Sequence, residues 1–150
     1  MSAQSRYVAP KSSTNFFNET VGRLTRLGVS VYGSRVLFVK GRKSGKWRTN
    51  PVNPLTLDSD RYLIAPRGNT QWVRNLRAAG GEGELRIGRK AERFTATEIG
   101  DEDKPVILRA YLKRWKWEVG VFFDGVDAKA PEAELRRIAP GYPVFRLTAR

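Results

Sequence analysis

The first sustained apolar pattern follows Thr14, where Phe16, Phe17, Val21, Leu24 and Leu27 recur at three- to four-residue spacing. That period predicts a helix, capped by Thr14 or Asn15, stopped at Gly28, and carrying Arg23 and Arg26 on its polar side. Burial against the domain is its simplest use, and peripheral contact with an anionic membrane the alternative. Residues 1–13 are polar and aperiodic, contain Pro10, and read as a flexible N-terminal arm before a single domain over 14–150. Short apolar runs then alternate with turn residues. Strands are expected over 35–40, 51–57 and 61–65, the last two joined by Asp58-Ser59-Asp60. A helix follows over 69–79, with Asn69 or Thr70 as its cap, Trp72, Val73, Leu76 and Ala79 on one face, and Gly80-Gly81 at its end.

Residues 83–88 and 91–99 form a hairpin across Gly88-Arg89-Lys90. Asp101-Glu102-Asp103 places carboxylates at the positive end of another helix, whose first turn tolerates Pro105 and whose apolar positions run from Ile107 to Trp115. A short helix over 131–138 and a strand over 142–147 close the chain. Short strands in hairpin order, interrupted by helices and lacking a repeated strand-helix-strand unit, predict an antiparallel α+β barrel rather than a parallel sheet.

Composition narrows the chemistry. The 150 residues include neither cysteine nor histidine, which removes thiol nucleophiles, imidazole bases, the usual zinc and haem ligands, and every Ser-His-Asp triad. Catalysis must then rest on a cofactor, on carboxylates, or on tyrosine, lysine and serine, with no metal implied. Against 15 acidic side chains stand 28 Lys and Arg, a net charge of +13 that calls for a polyanionic partner: nucleic acid, an anionic membrane or a multiply charged cofactor. No run approaches the ~20 apolar residues of a membrane span, and the first residues lack the apolar core of a signal peptide. The expectation is a cytoplasmic protein.

Gly41-Arg42-Lys43-Ser44-Gly45-Lys46-Trp47-Arg48-Thr49-Asn50-Pro51 concentrates cations, turn glycines and small polar donors between two apolar runs. Turn amides, the point charges of Lys43 and Lys46, and the planar donors of Arg42 and Arg48 are the chemistry of a phosphate grip. An ordinary solvated hairpin has the same composition. Trp47 follows Gly45-Lys46 where a magnesium-binding Ser or Thr would complete a Walker loop, and no Gly-x-Gly-x-x-Gly fingerprint occurs. A basic barrel stacking nucleic-acid bases on Trp47 and Trp72 is a further reading of the same features.

This basic segment, followed about twenty residues later by Trp72-Val73-Arg74-Asn75-Leu76-Arg77-Ala78, resembles the deazaflavin-dependent nitroreductase family. The likeness runs from about Phe16 to Leu147, strongest at these two motifs. It implies a split β-barrel related to the pyridoxamine-phosphate-oxidase-like flavin proteins. It implies a reductase passing hydride from coenzyme F420, an 8-hydroxy-5-deazaflavin, to an enone, quinone or nitro compound. FMN in the same fold, a non-catalytic coenzyme carrier, and nucleic-acid binding are the competing readings, the last the weakest. A homodimer accords with the broader split-barrel group.

By the resemblance, Arg42, Lys43, Ser44, Lys46 and Arg48 would grip the phosphodiester and the tail carboxylates, with Gly45 and Thr49 in the same segment. Asn50, Pro51 and Val52 would border the ring. Ala65, Pro66, Arg67, Gly68, Trp72, Val73 and Asn75 match the second cofactor-contacting region. Trp47 stands where proline is frequent in the family, as an added wall or a cover for the turn. Tyr111 and Trp115 are the catalytic candidates, by position along the chain, in place of the tyrosines the family sets over the ring; core packing is their alternative use.

Overall fold

The computed structural model describes residues 6–8 and 34–150. The helix expected over 16–28, the membrane contact assigned to it and most of the N-terminal arm lie outside the described residues. The strands are β1 (Arg35–Lys40), β2 (Trp47–Val52), β3 (Leu55–Leu57), β4 (Asp60–Ile64), β5 (Glu82–Ile87), β6 (Lys90–Glu98) and β7 (Val144–Ala149). The helices are α1 (Gln71–Ala78), α2 (Lys104–Val119) and α3 (Glu132–Ile138). All seven strands join one antiparallel sheet, ordered β2-β1-β5-β6-β7-β4-β3 and curled into a half-barrel.

The strand expected over 51–57 is two strands. β2 reaches back to Trp47 and pairs with β1 in register from Lys40↔Trp47 to Arg35↔Val52, where β1 begins and β2 ends. Asn53 and Pro54 then carry the chain away from that edge, Pro54 lacking the N–H a ladder needs, and β3 begins beside β4. The basic segment is therefore a six-residue turn, residues 41–46, followed by a strand.

Strand alternation divides the interior into two cores. Tyr62 and Ile64 of β4 pack with Ile107, Leu108, Tyr111, Leu112 and Trp115 of α2 and with Leu135 of α3. Leu63 and Ala65 face the other way, toward Leu37, Val39, Leu85 and Phe94 of the sheet and Trp72, Val73 and Leu76 of α1. Buried on both faces, residues 62–65 read as a continuous apolar run. β7 lies between β6 and β4 and contributes Val144 to one core and Phe145 to the other. Among the described residues no helix is long and apolar enough to cross a membrane.

α1 ends in a Schellman motif: Gly80 N–H donates to Arg77 O at 3.2 Å and Gly81 N–H to Leu76 O at 2.9 Å. Both glycines have positive φ, but only Gly81 is crowded, since a Cβ there would stand 2.2 Å from Ala96 O. Gly81→Ala should destabilise the fold by well over ~1 kcal/mol, because Ala96 N–H also donates to Gly81 O at 2.7 Å and fixes that approach. Gly80→Ala, with nothing within 4 Å of its added carbon, should cost less. Chemical denaturation of the two variants checks the order.

The short described piece of the N-terminal arm is held in place. Tyr7 bridges Gly68, Val8 N–H donates to Arg67 O at 2.8 Å, and Asn69 N–H donates to Arg6 O at 2.8 Å. The Arg6 guanidinium donates to the carbonyls of Pro66, Gly141 and Phe122 and lies 4.3 Å from the Tyr142 ring centroid. A cation with three acceptors and an aromatic face fixes three residues that the sequence pattern leaves loose.

Candidate functional site

Two clefts meet at Asn50. The first, about 420 Å³, is bounded by Asn50, Pro51, Val52 and Asn53 at the end of β2, by Pro66, Arg67 and Trp72 around the start of α1, and by the segment from Trp117 to Phe122 at the end of α2. The second, about 640 Å³, lies over the β1–β2 turn and the outer face of α1. Arg42, Lys43, Arg48 and Arg74 line it with Ser44, Thr49, Gln71 and Asn75, and among the described residues its lining includes no carboxylate.

The turn is closed by Gly41 N–H donating to Lys46 O at 2.8 Å and Gly45 N–H donating to Gly41 O at 2.9 Å. Gly45 sits at φ 71°, a conformation a side chain would strain. Ser44 Oγ accepts from Lys46 N–H at 3.2 Å, so the hydroxyl braces the turn. Behind it, buried Asn75 accepts at Oδ1 from both the backbone N–H of Arg42, at 3.1 Å, and Arg42 Nη1, at 2.7 Å. Asn75 thereby ties α1 to the turn and aims the Arg42 guanidinium. Asn75→Ala should cost about 1–3 kcal/mol of stability through the acceptor lost to the Arg42 amide and should weaken any anion held by Arg42. A melt and an anion titration of the same sample separate the two effects.

Trp47 packs edge-on to Phe38 at 6.3 Å, beneath Lys40, and also borders the basic cleft. It covers the turn and forms a wall of the cleft. Helix α1 starts at Gln71 with Thr70 at the cap position, but the Thr70 side chain makes no cap bond. Asn69 Oδ1 accepts instead from Arg77 Nη1 at 2.8 Å.

The sequence candidates divide cleanly. Arg42, Lys43, Ser44, Arg48, Thr49 and Asn75 line the basic cleft, Pro51, Val52, Pro66, Arg67, Trp72 and Tyr111 the first cleft, and Asn50 both. Gly45 and Lys46 lie in the exposed turn, outside the lining. Ala65 and Val73 are fully buried core residues, and Gly68 faces the Arg6 carbonyl. Tyr111 lies at the floor of the first cleft, 1% exposed, and burial pushes its phenol far above the usual value of 10. Trp115 is turned away from that cleft, its Nε1–H donating to Pro54 O at 3.2 Å.

Gln71 and Arg74 were legible in principle, since positions 71, 74 and 75 are spaced to share one helix face. The wall from Trp117 to Phe122 was not, because the chain there passes from α2 into a 3-10 turn without apolar period.

Two charged groups of the first cleft are perturbed. Burial lowers Arg67 from its usual value, with the Tyr7 charge opposing. Arg67 Nη1 is buried without a hydrogen-bond partner among the described residues. Burial raises Glu118 above its usual 4.5, partly offset by a hydrogen bond from Asn53. No group of three or more His, Cys, Asp or Glu among the described residues is arranged to hold a metal ion.

A slot walled by aromatic and aliphatic side chains with a few polar groups, opening on a basic trough, suits a flat heterocycle with an anionic tail. The model of the F420H(2)-dependent quinone reductase family matches residues 11–128. No curated protein gives a significant sequence match. Among solved structures, an F420-H2 dependent reductase, FDR-A, is 19% identical with a TM-score of 0.51, covering 77% of this chain and 94% of its own. A structure described as a domain-swapped dimer is also 19% identical, with a TM-score of 0.55 and coverage of 91% and 100%. A Listeria innocua protein whose description names pyridoxamine 5'-phosphate oxidase is 12% identical, with a TM-score of 0.50 and coverage of 79% and 84%. These likenesses establish the split-barrel fold.

Proposed function

This chain belongs to the F420H(2)-dependent quinone reductase family, and we propose that its acceptor is a quinone or a similarly electron-poor compound, an enone or a nitro compound, bound in the first cleft. It is an oxidoreductase, and coenzyme F420 is its cofactor. The observation that carries the acceptor reading is the junction at Asn50 of a slot with aromatic walls and a basic trough whose described lining carries no carboxylate.

The residues fit the coenzyme at both ends. Arg42, Lys43, Arg48 and Arg74 would hold the phosphodiester and the tail carboxylates. Asn50, Pro51, Val52 and Trp72 would border the ring, with Arg67 beside it in the cleft lining. When bound, the reduced deazaflavin supplies a hydride. The chain's own tasks are then to bind, to orient and to exclude water, which requires neither histidine nor cysteine.

The test is a fluorescence titration with coenzyme F420, beside FMN and a short oligonucleotide, at low and physiological salt. It is followed by turnover of the reduced coenzyme with a quinone, an enone and a nitroaromatic. Saturable F420 binding that survives physiological salt, with turnover of at least one acceptor, is the expected result. FMN binding alone, or oligonucleotide binding with a steep salt dependence, would overturn it.

A further inference from the structure

We propose that Glu118 is the proton donor to the acceptor reduced in the first cleft. The inference rests on the reductase reading of that cleft. A hydride brings one hydrogen and two electrons, so a quinone must also take a proton on oxygen, and an enone must take one on the enolate that the hydride leaves.

Within the cleft lining the choice of donors is small. Among the described residues Glu118 is its one carboxyl group, and Tyr111 and Arg67 are the other titratable side chains there. Tyr111 is buried at the floor, and the Glu118 charge adds to the burial that holds its proton in place. Arg67 keeps its proton at any working pH. Asparagine amides and tryptophan rings do not supply protons.

Glu118 sits seven residues after Tyr111, two helical turns along the same face of α2. It is half-buried and next to exposed Trp117, at the end of the helix that borders the cleft. Asn53, from the link between β2 and β3, hydrogen bonds to its carboxylate. Ser34 Oγ donates to Asn53 Oδ1 at 2.9 Å, which leaves the Asn53 amide N–H group to face Glu118. The carboxyl group is thus oriented by a residue two positions from Pro51, on the strand end that borders the ring site. Burial favours its neutral form, the form that can donate. Among the described residues, Asn53 from the β2–β3 link bonds to it, Tyr111 from its own helix feels its charge, and Arg67 shares the cleft lining.

The step balances without a further reactant. The acceptor gains a hydride, and with it two electrons, from the reduced coenzyme of the family activity. The Glu118 O–H bond breaks as the reduced acceptor takes the proton. Water at the cleft mouth reprotonates the carboxylate and receives the proton that the coenzyme also gives up, so two hydrogens move overall.

The test compares wild type, Glu118→Gln, Glu118→Asp and Tyr111→Phe by coenzyme titration, by turnover against pH, and by melting of the coenzyme-free proteins against pH. Glu118→Gln should bind coenzyme F420 as the wild type does, while kcat with a quinone or enone falls about 10²-fold or more. The wild-type kcat should decline as pH rises through the raised carboxyl value, the variant profile should lose that limb, and Glu118→Asp should recover part of the rate. Without coenzyme, a raised carboxyl value makes the wild type lose stability relative to Glu118→Gln as pH climbs above 4.5. The melting temperatures should therefore separate with pH in that direction. An unchanged kcat and pH profile in Glu118→Gln, a rate loss confined to Tyr111→Phe, or melting curves that keep a constant gap would overturn the assignment. Failure of the wild type to bind coenzyme F420 would instead strike the reductase reading beneath it.

Discussion

Arg48→Ala should bind coenzyme F420 about ten- to a hundredfold more weakly than the wild type, the loss expected when one set of charge-assisted hydrogen bonds disappears. The Arg48 stem lies over Gly41, its Cγ and Nε 3.4 Å from where a Cβ on that glycine would stand. The guanidinium is thereby directed along the turn into the trough it shares with Arg42, Lys43 and Arg74. The Arg42→Ala, Arg48→Ala double variant should lose more, while Lys46→Ala, outside the trough, should lose little. Raising salt should narrow all the differences, since exposed charges beyond about 8 Å are screened at physiological ionic strength. Fluorescence titrations of the three variants at two salt concentrations decide the matter. Equal affinities for wild type and Arg48→Ala would remove the trough from coenzyme binding.

The second large effect concerns stability. Trp115→Ala should cost about 3–5 kcal/mol, the range for truncating a buried Trp, and lower the melting temperature by roughly 6–20 °C. Trp115 is 1% exposed, packs against Trp117 at 5.9 Å and lies under the Arg114 guanidinium. Its removal opens the interior between α2 and β3. Trp115→Phe keeps most of the volume and loses the hydrogen bond to Pro54 O, so a cost near ~1 kcal/mol is expected. Both variants, while folded, should keep wild-type coenzyme affinity. A loss of turnover in Trp115→Phe without a loss of stability would return this residue to the catalytic candidates.

Strands, helices and their order were largely legible because apolar period and turn chemistry are local. The break at Asn53-Pro54 was not, because it depends on which neighbouring strand each segment joins, and a run from 51 to 57 looks the same whether or not it changes partners. The basic turn announced itself through charge density. The first cleft did not, for its walls come from the end of β2, the start of α1 and the end of α2, segments far apart in the chain. Asn75 could be read as a polar residue on an amphipathic helix, but its role as the acceptor that orients Arg42 exists only once the turn is folded against it. Tyr111 and Trp115 share one helical stripe, and only the packing shows that one reaches the cleft and the other does not.

β7 bears on how the chain is made. A ribosome releases β1 to β6 before it, and at that stage the sheet exists as two pieces, β2-β1-β5-β6 and β4-β3, because only β7 pairs with both β6 and β4. Each piece carries an unpaired edge open to misdirected pairing until Val144 and Phe145 arrive. A nascent chain halted before residue 144 should therefore be held by chaperones and digested readily by protease, and a chain that has cleared residue 149 should become protected in one step, with both edges sealed together.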